Sequence, residues 1–70
     1  MNNARRKQIK EVCDKINSLV RELSGILSDE VDNYENMISD AQKDASEEAQ
    51  DILEDAIYDL EEAEENLMGV

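Results

Sequence analysis

The chain has 70 residues, of which 37% are charged, and its 19 acidic and seven basic side chains give a formal net charge of −12. Its length allows one domain, and its charge argues against direct binding of nucleic acid or anionic membranes. Leu, Ile and Val together number 16, with no Phe or Trp, so a monomer has little core and we expect several copies to assemble.

Targeting and disulfide signals are missing from the sequence. The first ten residues lack the apolar stretch of a signal peptide, and no apolar run approaches the roughly 20 residues of a membrane span. A single cysteine, Cys13, cannot form an internal disulfide. We therefore expect a cytoplasmic protein without membrane contact.

Residues 1–27 form the first predicted helical region. They carry six basic and three acidic side chains, a net of +3, whereas residues 28–70 carry sixteen acids and Lys43, a net of −15. Apolar side chains recur in this region at alternating intervals of four and three, which is a heptad seam: Ile9, Cys13, Ile16, Val20, Leu23 and Leu27. Val12, Leu19 and Ile26 widen the stripe on one side, which suits a helical bundle. The spacing predicts a helix over about 3–38.

A polar segment interrupts the apolar pattern in the middle of the chain. Ser39 and Gln42 have the spacing of a capping box, and Ser46 followed by two glutamates also resembles a helix start. We therefore predict a turn at about 39–46. The alternative is one uninterrupted helix of about 65 residues, roughly 98 Å long.

The last third of the chain is predicted to be a second helix, over about 46–68. Its seam alternates small and large side chains: Ala49, Leu53, Ala56, Leu60, Ala63 and Leu67. Ile52 and Ile57 flank this seam, and Gly69 stands where a glycine commonly ends a helix.

The distribution of charge predicts how the helices pair. Basic residues crowd the start of the first helix and acids crowd the end of the second, and both placements oppose the helix dipole. An antiparallel hairpin offsets this because it sets the basic start beside the acidic end. We therefore predict an all-α fold in one domain, residues 1–70: an antiparallel, coiled-coil-like helical hairpin that assembles into a four-helix bundle or a larger oligomer. The predicted hairpin and oligomer seam consists of Ile9, Ile16, Val20, Leu23, Leu27, Leu53, Leu60 and Leu67.

Several stretches of the sequence resemble a known group of proteins. The chain has a basic Arg5–Lys7 start, a heptad helix, a stretch from Asp29 to Met37 (DEVDNYENM), a polar turn with Ser46 and an acidic repetitive run from Leu53 to Ala63. In this it resembles small, uncharacterised acidic proteins encoded by bacteriophages and mobile elements, although it lacks the proline of their turn. The resemblance implies a phage origin and a hairpin, and it supplies no activity.

The residues that catalysis or metal binding would need are largely missing. Without histidine there is no His-dependent triad and no usual zinc site, and no glycine-rich phosphate loop is present. Cys13 falls on the seam and is interpreted as a buried small apolar residue rather than a reactive thiol. The acids near Asp29 lack the central glycine of an EF-hand. We therefore expect no enzyme, no catalytic residue, no cofactor and no bound metal.

An acidic face on the second helix is the best functional candidate. Its members repeat at helical spacing: Asp44, Glu47, Glu48, Asp51, Glu54, Asp55, Glu61 and Glu65. Acids one turn apart form a sparser version of the phosphate rail of DNA. The first hypothesis is a phage-type inhibitor of a basic host protein, such as a nucleic-acid-binding defence enzyme. The alternatives are a structural oligomerisation module, in which this face is only solubilising, and an oligomer that sequesters a nucleotide through Arg5, Arg6, Lys7 and Lys10.

Overall fold

The computed structural model describes all 70 residues and contains two helices joined by a short turn. Helix α1 spans Asn3–Tyr34 and helix α2 spans Asp40–Met68. The helices pack against each other as a hairpin, which confirms the predicted all-α fold and excludes the single long helix. The molecule is a flat rod whose Cα atoms extend over 56 × 15 × 10 Å.

Side-chain caps begin both helices. The Asn2 side chain accepts a hydrogen bond of 2.8 Å from the Arg5 backbone N–H, and the Ser39 hydroxyl accepts one of 3.1 Å from the Gln42 backbone N–H. Each cap satisfies an N–H group that has no partner within its helix. Ser39 is one of the two possible helix starts in the sequence, and α2 begins there rather than at the predicted start near residue 46.

The turn lies earlier than predicted. The first helix ends at Tyr34 rather than near residue 38, and the second begins at Asp40 rather than near residue 46, so residues 35–39 form the connection. Asn33 and Asn36 flank the end of α1, and asparagine favours turns because its side chain competes for backbone hydrogen bonds. Ser46, interpreted as a second possible helix start, lies inside α2 and is 98% buried.

The contact between the helices is antiparallel, and it is polar near the turn and apolar farther away. The Cys13 thiol lies 4.0 Å from the Glu64 carbonyl oxygen, which sets the start of α1 against the end of α2. All eight predicted seam residues are half-buried, whereas only Cys13 and Ser46 are fully buried. Glu30, Tyr34, Lys43, Ser46 and Gln50 continue the inward-facing pattern toward the turn. The hairpin by itself therefore has almost no core.

Candidate interaction surfaces

The acidic face occupies the outer side of α2. All eight of its predicted residues are exposed, and they lie on one uninterrupted helix of 29 residues. The face runs from Asp44 to Glu65, which is about 32 Å of helix axis, so the carboxylates form an elongated band along α2. The helix contains twelve acids and only one base, Lys43. Its outer surface is therefore a strongly negative strip.

One member of the acidic face is held by a contact between the helices. The Tyr34 hydroxyl donates a hydrogen bond of 2.6 Å to Oε1 of Glu47, and the Lys43 ammonium lies 5.9 Å from the centre of the Tyr34 ring. The hydrogen bond to Glu47, with partial desolvation and the nearby charges of Glu47 and Asp44, raises the pKa of Tyr34 above its usual value. Glu47 thus links α2 to the end of α1, which gives it a structural role beside its place on the acidic face.

The basic cluster predicted to bind a nucleotide (Arg5, Arg6, Lys7 and Lys10) is divided between two sides of the hairpin. Arg6 and Lys10 line a depression at the end that carries the chain termini, together with the carboxylates of Asp14 and Glu64. Arg5 instead lines a shallower groove with Val12 and Leu67. The structure therefore does not bring the predicted basic residues into one pocket, and two carboxylates share the depression that holds Arg6 and Lys10.

An exposed apolar patch accompanies the seam. Val12, Leu19 and Ile26 are 44%, 47% and 54% exposed, and Ile52 on α2 is 61% exposed. The first three recur every seven residues, so they form a line along one side of α1. We call these four residues the outer apolar patch. Their spacing was visible in the sequence, but their exposure follows from the way the hairpin closes.

The burial of Ser46 near the turn was not predicted from the sequence. Ser46 precedes Leu53 by seven residues, just as Leu53 precedes Leu60, so the heptad register alone was a signal for its burial. Its hydroxyl accepts a hydrogen bond of 3.3 Å from the Gln50 side chain. That bond partly compensates for the loss of water around a buried hydroxyl.

Comparison with known proteins gave no match: no protein-family model, curated protein or solved structure is detectably similar to the chain. Neither helix contains an apolar stretch of the length that crossing a membrane requires. No group of three or more cysteine and carboxylate side chains is arranged to hold a metal ion. The candidate surfaces therefore have to be interpreted from their own chemistry.

Proposed function

We propose that this chain is a non-enzymatic, protein-binding module that engages a basic protein surface through the acidic face of α2. The observation that carries the proposal is the exposure of all eight carboxylates along one continuous helix. A surface of a single charge sign speeds association with a partner of the opposite sign and restricts which partners bind.

The spacing of the acids suggests the class of partner. Carboxylates one helical turn apart repeat about every 5.4 Å, against one phosphate per 3.4 Å along a DNA strand. The acidic face is thus a row of negative charges that are spaced more widely than the phosphates of DNA, and such a row suits the nucleic-acid groove of a basic enzyme. With the resemblance to phage proteins, this favours an inhibitor of a host defence protein, acting in the bacterial cytoplasm.

Two other functions have less support. A nucleotide-sequestering oligomer would need the basic cluster to converge, but Arg6 and Lys10 share their depression with Asp14 and Glu64, whose charges repel phosphate. A purely structural module remains the second candidate, since the hairpin buries only Cys13 among its apolar residues. In that case the acidic face keeps the assembly soluble and binds nothing.

The test compares two variants that each lose four negative charges. The first, Asp51→Asn/Glu54→Gln/Glu61→Gln/Glu65→Gln, alters the acidic face; it spares Glu47, which accepts a hydrogen bond from Tyr34, and Glu48 and Asp55, which neighbour Ile52. The control, Glu11→Gln/Glu22→Gln/Asp29→Asn/Asp32→Asn, alters exposed positions of α1.

Each tagged protein is used to capture partners from a bacterial lysate at low and at high salt. We expect the wild type and the control to retain a basic protein at low salt, the first variant to lose it, and added double-stranded DNA to displace it. If the first variant captures the same protein at low salt as the wild type, the acidic face is not the binding surface.

A further inference from the structure

The outer apolar patch lies on one side of the hairpin. Val12 shares a groove with Ile9 and Leu67, whereas Lys10 and Glu64 line the depression on the opposite side of the seam. On α2, helical periodicity turns Ile52 and Glu64 to opposite sides of the Leu53–Leu60–Leu67 line. Ile52 therefore lies on the same side as Val12, Leu19 and Ile26.

The hairpin needs additional apolar contact on this side. No large side chain is fully buried, and Cys13 is the one buried apolar residue. A chain of 70 residues without a disulfide or a metal gains little stability from so small a core. The alanines at 49, 56 and 63 make the seam shallow on the same side as the patch, so another helix can approach it closely.

We propose that a second copy of the chain covers the outer apolar patch and forms a four-helix bundle. The whole face measures 56 by 15 Å between Cα atoms, so its outline is large enough to hold the roughly 800 Å² that each partner contributes to a standard stable interface. On α1 the patch runs from Val12 to Ile26, which is about 21 Å of a helix about 48 Å long, so its apolar contact is concentrated in the middle of this face. The acidic outer side of α2 stays open in the bundle, and the dimer does not rest on the proposed function.

Charge decides which helices meet across the two-fold axis. Stacking α2 on the partner's α2 would oppose two helices that each carry twelve acids and one base, a net of −11. Stacking α1 on the partner's α2 instead sets the basic residues 1–27, with a net of +3, beside an acidic end. In this second arrangement the two-fold axis of the dimer is parallel to the helices, and each helix is antiparallel to both of its neighbours. Ile26 then lies beside the partner's Ile52.

The first experiment measures mass by sedimentation equilibrium over a dilution series. We expect the wild type to have twice its 8.0 kDa chain mass at micromolar concentration. Leu19→Gln/Ile26→Gln should weaken the dimer by more than about a hundredfold, because four aliphatic side chains per dimer lose their apolar contact.

Val31→Gln is the matched control. The exposed fraction of Val31, 43%, is similar to the 47% of Leu19. Val31 follows Lys10 by three heptads, however, and so it lies on the opposite side of the hairpin from the outer apolar patch. This variant should dimerise like the wild type. A wild-type monomer that unfolds cooperatively at all concentrations would overturn the proposal, and so would equal weakening by Val31→Gln.

Cross-linking tests the arrangement even if the double variant does not fold. In a Cys13→Ala background, chains with Ile26→Cys are mixed with chains with Ile52→Cys and oxidised gently. We expect a disulfide between the two kinds of chain, because only neighbouring Cα atoms can be bridged. Rapid disulfide formation between two Leu19→Cys chains would show that α1 meets α1, and the proposed arrangement would be wrong.

Discussion

Replacing Gly25 with alanine should stabilise the protein. Gly25 lies inside α1 at an exposed position, and a Cβ atom built there would have no atom within 4 Å apart from its chain neighbours and the local helix backbone. Glycine in a helix interior is less favourable than alanine by about 0.8–1.0 kcal/mol, mainly because its unfolded backbone has more freedom to lose. No steric cost opposes this gain.

The size of the effect follows from the length of the chain. Unfolding entropy is about 2.1 cal/mol/K per residue, so 70 residues give about 150 cal/mol/K. A gain of 0.8–1.0 kcal/mol then raises Tm by about 5–7 °C, which thermal unfolding followed by circular dichroism at 222 nm measures readily at a fixed protein concentration.

Gly69 provides the control for this substitution. It caps the end of α2 with a φ of −76°, and an added Cβ would lie 3.4 Å from the Asn66 carbonyl oxygen, an ordinary contact. Gly69→Ala should change the free energy of unfolding by less than about 0.5 kcal/mol. If Gly25→Ala leaves Tm unchanged or lowers it, position 25 is not a free helical surface, and another chain must pack against it.

Two further predictions concern the contacts near the turn. The hydrogen bond to Glu47 raises the pKa of Tyr34, so the stability that this bond contributes is fully present below the unfolded tyrosine pKa and is lost as pH rises through the raised pKa. Absorbance titration at 295 nm should show that Tyr34 ionises at higher pH in the wild type than in Glu47→Gln, and a Tyr34→Phe sample gives the titration of Tyr58 alone. Identical titrations of the wild type and Glu47→Gln would exclude the bond. Ser39→Ala removes the cap of α2 and should lower the free energy of unfolding by about 1 kcal/mol in urea, whereas Ser18→Ala, whose hydroxyl only bonds the Asp14 carbonyl of its own helix, should have a smaller effect.

Local regularities of the sequence determined much of this protein. Alternating intervals of four and three identified two helices and the residues that line their contact, because a helix places such positions on one face. The Ser39–Gln42 spacing is a local signal for the start of α2, but the similar local signal at Ser46 led to a predicted start about six residues too late. The outward position of the acids followed for the same reason, since a helix that turns its apolar seam inward turns the opposite side to water.

Only the tertiary structure decided how the two helical patterns meet. Ser46 resembled a helix start by its neighbours, yet it is buried because its position relative to Leu53 faces α1 once the chain folds back. Glu47 was one acid among many, and its bond to Tyr34 exists because the hairpin joins residues thirteen apart in sequence. Likewise, the seven-residue repeat of Val12, Leu19 and Ile26 did not predict that Ile52 of α2 lies on the same side of the hairpin. Each helix has its own apolar direction in the sequence, but the register and side on which two helices pack depend on both of them together.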